Sequence, residues 1–179
     1  MENMQFVREF LRHPKQLGTL VQSGKSLSRT MAREVAGCSE VVEFGAGTGP
    51  VTREILKCLP ADGHLTSFEI NSDLCRYLSE IGDARLDVVN DGAEKCGQYV
   101  EHPDCVISEL PLALFDKRAK EQILSFASRS GRYIQLQYTR ALDKEIKRYF
   151  SNVRVRFVPR NIPPAFVYVC RRADGHRSS

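Results

Sequence analysis

An apolar run that ends in a carboxylate and three alternating glycines holds the chemistry most open to reading in this chain. Residues 41–49 read Val41-Val42-Glu43-Phe44-Gly45-Ala46-Gly47-Thr48-Gly49. Glycines at this spacing let the backbone take positive φ and let a ligand approach the main chain more closely than any Cβ would permit. The spacing also narrows the ligand. A dinucleotide fingerprint needs a glycine where Pro50 stands, and a phosphate-cradling loop needs a Gly-Lys-Ser/Thr ending that this segment lacks. An adenosine without a pyrophosphate fits better. Two further acids fall in register with the turn. Glu69 lies 20 residues beyond Gly49, where a carboxylate accepts hydrogen bonds from ribose hydroxyls, and Asp91 followed by Gly92 closes the next apolar segment. Any one of these acids also suits a solvated turn or a helix N-cap. Together they mark a ligand held at the ends of adjacent strands.

The elements that must position these residues follow from periodicity. Residues 50–56 have helical apolar spacing, Pro60-Ala61-Asp62-Gly63 breaks the pattern, and residues 64–69 and 84–90 read as strands. Later strands are expected over 105–108, 133–138, 153–158 and 166–170, with helices over 4–12, 26–36 and 142–149. Strand and helix alternate from Val41 onward, which predicts an α/β fold with a mostly parallel, doubly wound sheet. The two closely linked terminal strands predict an antiparallel edge.

Composition bounds the remainder. A chain of 179 residues with 42% hydrophobic content supports one sizeable core, so one domain is expected. Six scattered cysteines without a C-x-x-C pair give no zinc or redox motif and suit reduced thiols in a cytoplasmic protein. No apolar stretch is long enough to span a bilayer, so a soluble protein or one peripheral at the inner face of the membrane is expected. The formal net charge is +4, and beyond residue 128 basic residues far outnumber acids, which suits an anionic partner or simple solubility. Phe6, Val7, Phe10 and Leu11 share one side of the first expected helix beside Arg8, Arg12 and Lys15. That segment, within an N-terminal stretch of residues 1–36, reads as a lid over the cofactor pocket or as an interfacial helix on anionic lipid. The catalytic domain is expected over 37–172 and a flexible tail over 173–179.

The pattern Glu43-x-Gly45-x-Gly47-x-Gly49 resembles motif I of the class I S-adenosylmethionine-dependent methyltransferases. More specific segments are Pro14-Lys15 with Gly18 and Ser23, Ser108-x-Leu110-Pro111-Leu112, Gln135-x-x-Tyr138, and Arg160-Asn161-Ile162-Pro163-Pro164-Ala165 with Val167-Tyr168. These resemble the bacterial phospholipid N-methyltransferases over nearly the whole chain, and the layout is related to that of the rRNA adenine dimethylases. The resemblance implies a Rossmann-like, seven-stranded, mostly parallel sheet with an antiparallel last strand and helices on both faces. S-adenosylmethionine is the implied cofactor, with Glu43, Gly45, Gly47, Gly49, Glu69, Asp91 and Gly92 as its contacts. The implied reaction transfers a methyl group to the amine of an aminophospholipid such as phosphatidylethanolamine.

One residue departs from the family. Glu109 stands where a small residue is usual, at the end of the fourth strand. A carboxylate there faces the methyl-transfer site, to bind an ammonium group or take its proton, or else points outward into solvent. Glu109 and Tyr138 are the catalytic candidates, and Arg160 and Asn161 the substrate contacts. Arg154 and Arg156 alternate with Arg160, either as a phosphate clamp or as protection of an edge strand. The alternative acceptor, an RNA adenine, is disfavoured because Glu109 and Leu112 replace the asparagine and aromatic of those enzymes, so nucleic acid is not an expected partner. A non-catalytic binding protein of the same fold is the remaining alternative, and the intact Glu43, Glu69 and Asp91 set argues against it.

Overall fold

The computed structural model describes residues 24–159 and 164–171. Seven apolar segments pair into one sheet: β1 (Glu40–Phe44), β2 (His64–Phe68), β3 (Leu86–Val89), β4 (Cys105–Ser108), β5 (Arg132–Gln137), β6 (Asn152–Val158) and β7 (Ala165–Arg171). Their spatial order is β3-β2-β1-β4-β5-β7-β6. The first five strands are parallel, and β7 is antiparallel to both β5 and β6. From β1 the chain therefore winds outward to β3, then returns to β4 on the other side. The crevice at the carboxyl ends of β1 and β4 is the topological switch point, where open α/β sheets hold ligands.

Among the described residues five helices cover the sheet: α1 (Gly24–Ala32), α2 (Pro50–Cys58), α3 (Ser72–Ser79), α4 (Lys117–Ala127) and α5 (Asp143–Tyr149). On one face Val41, Leu65, Cys105, Ile107, Ile134 and Leu136 are buried with Leu27 and Met31 of α1 and Val51 and Ile55 of α2. On the other, Val42, Phe44, Val106 and Tyr133 are buried with Ile123 and Phe126 of α4 and Ile146 of α5. Side chains alternate between faces along each strand, so two cores flank the sheet.

The strand expectations hold, with β3 confined to Leu86–Val89. The helix expected over 26–36 ends at Ala32, and one 3-10 turn, Arg33–Val35, follows it. Two helices that carry clear start signals were not bounded from sequence. The Asn71 side chain accepts from the Asp73 and Leu74 amides at the start of α3, and Asp116 accepts from Ala119 at the start of α4. The helix expected over 4–12, the Arg160-Asn161-Ile162-Pro163 segment and the tail lie outside the described residues.

β6 is the outer strand, and its alternating arginines are engaged. Arg154 and Arg156 each lie 3.2 Å from a carboxylate oxygen of Glu34, whose side chain is 10% exposed. Both arginines thus tie the edge strand to the turn after α1. Among the described residues no helix is long and apolar enough to cross a membrane.

Candidate active site

The alternation that builds the two cores also gathers the acids. Val41 and Glu43, Leu65, Ser67 and Glu69, Cys105, Ile107 and Glu109, and Ile134, Leu136 and Tyr138 each step along a strand by two residues. Glu43, Glu69, Glu109 and Tyr138 therefore share the face covered by α2, at the carboxyl ends of four adjacent strands. With Asp91 at the end of β3, they run across the sheet in the order Asp91, Glu69, Glu43, Glu109, Tyr138. Four strand spacings separate the outermost pair, roughly 19 Å. That is room for an extended adenosyl ligand and a small acceptor.

Glu43 is 1% exposed. Its Oε2 accepts from the hydroxyls of Thr52 on α2, at 2.7 Å, and Ser67 on β2, at 2.6 Å, whereas its Oε1 is buried without a partner. Burial raises its pKa to about 7, against the two hydroxyl donors and with added repulsion from Glu69. Glu69, 4% exposed, accepts from the Gly47 amide at 3.0 Å and the Asn71 amide at 2.8 Å. Its pKa is also raised, because burial outweighs those donors. Glu109 follows β4 directly, its amide donating to the Phe44 carbonyl, and its Oε1 is buried without a partner. Burial holds its carboxyl well above the ordinary range, and repulsion from Glu43 and Glu69 adds to this. Tyr138 is 38% exposed, and its phenol is raised by burial and then by the charge of Glu109.

The three turn glycines serve different ends. Gly45, Gly47 and Gly49 take φ of 76°, 59° and 79°, the left-handed region. A Cβ on Gly45 or Gly49 would lie 2.8 Å from a methyl of Leu110 or Leu78, so these two are fixed by packing. A Cβ on Gly47 would meet nothing nearer than 4.0 Å, which leaves the main chain open on that side. The Gly92 backbone is ordinary, and only the flexible Glu94 carboxylate crowds it.

Asp91 is held by several donors. It accepts from the Gly92 amide at 2.8 Å, Lys95 Nζ at 2.6 Å and the Tyr99 hydroxyl at 2.9 Å, and Lys95 chiefly lowers its pKa. Beneath Glu109, the Gln135 amide donates to the carbonyls of Leu110, at 2.9 Å, and Ser108, at 3.3 Å. Gln137 donates to the same Leu110 carbonyl at 3.0 Å. Sequence reasoning missed the Gln137 bond and the Thr52 and Ser67 donors. Gln135 and Gln137 at alternate positions of an otherwise apolar strand were the available signal for the first, and nothing local marks the two hydroxyls.

These residues fit a cationic adenosyl cofactor. Two buried carboxylate oxygens without partners favour positive charge, Gly47 opens the main chain, and Glu69 reaches that turn from the neighbouring strand.

Comparison with known proteins bears on the same region. No family model matches the chain. It is 31% identical to an ornithine lipid N-methyltransferase from Singulisphaera acidiphila, over 93% of this chain and 94% of that protein. The fold is shared with magnesium protoporphyrin IX methyltransferase from Synechocystis PCC 6803, determined with bound S-adenosylmethionine, at a TM-score of 0.65 and 12% identity over 92% of this chain and 84% of that one. It is also shared with the 23S rRNA methyltransferase ErmE, at a TM-score of 0.62 and 16% identity over 87% of this chain and 71% of that one. At such identities the two structures speak for the fold alone.

Proposed function

The chain belongs to the class I S-adenosylmethionine-dependent methyltransferases, in the family of its lipid N-methyltransferase relative, and from that premise we propose that it N-methylates the amine of a membrane aminolipid. The cofactor supplies an electrophilic methyl group. Asp91 and Gly92 would hold its adenine, Glu69 its ribose, and Glu43 with the glycine turn its amino-acid end. Glu109 and Tyr138 line the acceptor end.

The observation that carries the acceptor class is the buried, unpartnered Oε1 of Glu109. An ammonium head group neutralises such a carboxylate, and the carboxylate takes a proton so that the neutral amine can attack. The deprotonated amine would attack the methyl carbon that the cofactor supplies, with the neutral thioether as leaving group. The protein's work is to align the amine with the methyl carbon and exclude water. An ornithine-type head group is favoured over phosphatidylethanolamine, in keeping with the activity named for the relative. Arg154 and Arg156, candidates for a phosphate clamp, are engaged with Glu34. Arg160 and Asn161, beyond the described residues, remain proposed substrate contacts. Residues 4–15 are proposed to contact anionic lipid.

The test incubates the protein with S-adenosylmethionine labelled in its methyl group and, in separate arms, vesicles containing ornithine lipid, vesicles containing phosphatidylethanolamine, and total RNA. Label in an aminolipid is expected, with ornithine lipid ahead. Label confined to RNA would overturn the reading.

A further inference from the structure

Three carboxylates share one face of the crevice, and among the described residues no lysine, arginine or histidine pairs with any of them. The groups facing them are few. Glu43 meets the Thr52 and Ser67 hydroxyls and the charge of Glu69. Glu69 meets the backbone amides of Gly47 and Asn71, with Cys75 beside it. Glu109 meets Glu43 and Glu69 through space and stands beside Tyr138. Two of the three carry a buried oxygen without a hydrogen-bond partner. Fully ionised, the cluster would hold three negative charges in a largely buried site with no compensating cation among the described residues, an arrangement that proteins avoid by retaining protons.

We propose that Glu43, Glu69 and Glu109 act as one proton-sharing cluster that reads the charge of the cofactor, releasing protons when the sulfonium enters and taking them back when the neutral thioether product is left behind. The inference rests on the methyltransferase reading and goes beyond it, because it assigns the three acids a joint role in telling cofactor from product. A positive charge beside buried carboxyls favours their ionised form, and its loss favours the protonated form. By linkage, the cofactor then binds more tightly relative to product as pH rises. In the catalytic cycle the sulfonium charge ionises Glu109 before the acceptor arrives, so the carboxylate is ready to take the ammonium proton. The balance closes. The released proton passes to solvent, the amine proton goes to Glu109, and the charge lost at sulfur reappears on the methylated nitrogen.

The experiment is isothermal titration calorimetry of S-adenosylmethionine and of S-adenosylhomocysteine in buffers of different ionisation enthalpy. The two ligands share the α-amino and carboxyl groups, so their difference isolates the sulfonium. At pH 7, wild-type protein should release about half a proton more on binding S-adenosylmethionine than on binding S-adenosylhomocysteine. The dissociation constant of S-adenosylhomocysteine divided by that of S-adenosylmethionine should rise by about threefold or more from pH 6 to pH 8, below the limit of about tenfold per unit for one proton. Both differences should shrink in Glu109→Gln and Glu43→Gln. Equal proton release for the two ligands in the wild-type protein, with a pH-independent ratio, would overturn the proposal and leave the methyltransferase reading intact. A difference unchanged in both variants would likewise overturn it. The wild-type ratio decides alone should a variant fail to fold, whereas absence of any S-adenosylmethionine binding would count against the methyltransferase reading itself.

Discussion

Gln137 on β5 donates its side-chain amide to the carbonyl of Leu110 at 3.0 Å, tying the end of the fifth strand to the segment that carries Glu109. Gln135 makes a second bond to the same carbonyl at 2.9 Å. Both glutamines are buried, and the Leu110 carbonyl keeps the Gln135 bond when Gln137 loses its amide, so one hydrogen bond is lost and the carbonyl is not left bare. Gln137→Leu should lower stability by about 1 kcal/mol in denaturant titration. It should raise KM for the acceptor more than the dissociation constant for the cofactor, because the segment it holds carries Glu109, the residue proposed to meet the acceptor. Equal effects on both ligands would show that the glutamine only supports the fold.

The turn glycines separate packing from ligand access. Gly49→Ala puts a methyl 2.8 Å from a Leu78 methyl at φ 79°, and should cost about 1–3 kcal/mol in thermal unfolding. Gly47→Ala meets open space at φ 59°, so its stability cost should be about 1 kcal/mol. Its methyl enters the ligand side of the turn, so cofactor affinity should fall more than tenfold. Calorimetry and melting curves on the two variants would check the contrast.

Glu43 gives the ligand-free protein a pH dependence of definite sign. Its carboxyl is raised to about 7 in the folded chain, so the folded state binds more protons than the unfolded state between about pH 4.5 and 7. Its contribution to stability is therefore full at low pH, declines as pH rises through that window, and levels off above it. The steepest slope is about 1.4 kcal/mol per pH unit. Glu43→Gln should flatten the slope of stability from pH 5 to 7 and weaken cofactor binding. Urea titrations at several pH values would reveal it, and an unchanged slope would show that the carboxyl titrates elsewhere.

Glu34 offers a control remote from the acids of the crevice. Its carboxylate joins Arg154 and Arg156 of the edge strand and is largely shielded from water. Glu34→Gln should cost about 1 kcal/mol, less at high salt, and leave KM for both substrates unchanged. A raised KM for the lipid would instead indicate that these arginines touch the head group.

How far the sequence could be read divides along physical lines. The sheet, its antiparallel edge and the registration of Glu43, Glu69 and Asp91 follow from local periodicity and turn chemistry, so they were accessible. The placement of Glu109 at the end of β4 was accessible too, because Cys105–Ser108 is a short apolar run before a Leu-Pro break. What could not be read were contacts between distant segments. Glu34 sits 120 residues from Arg154, and nothing local announces that pairing. The same holds for Thr52 and Ser67 against Glu43, where two ordinary hydroxyls become decisive only once α2 is laid over β2. Bounds also slipped where helices end, since Ala32 passes into a 3-10 turn without glycine or proline to mark the change.

The alternation around position 109 bears on how such enzymes diversify. Ser108 and Leu110 take the side-chain hydrogen bonds that anchor this segment, and Glu109 contributes its backbone amide to the Phe44 carbonyl, so the Glu109 side chain itself has little part in holding the sheet together. If position 109 sets the acceptor, as proposed, a single substitution would change the acceptor chemistry without disturbing strand pairing. A carboxylate oxygen buried there without a partner costs stability, so a smaller, uncharged occupant should leave the fold more stable than the glutamate does.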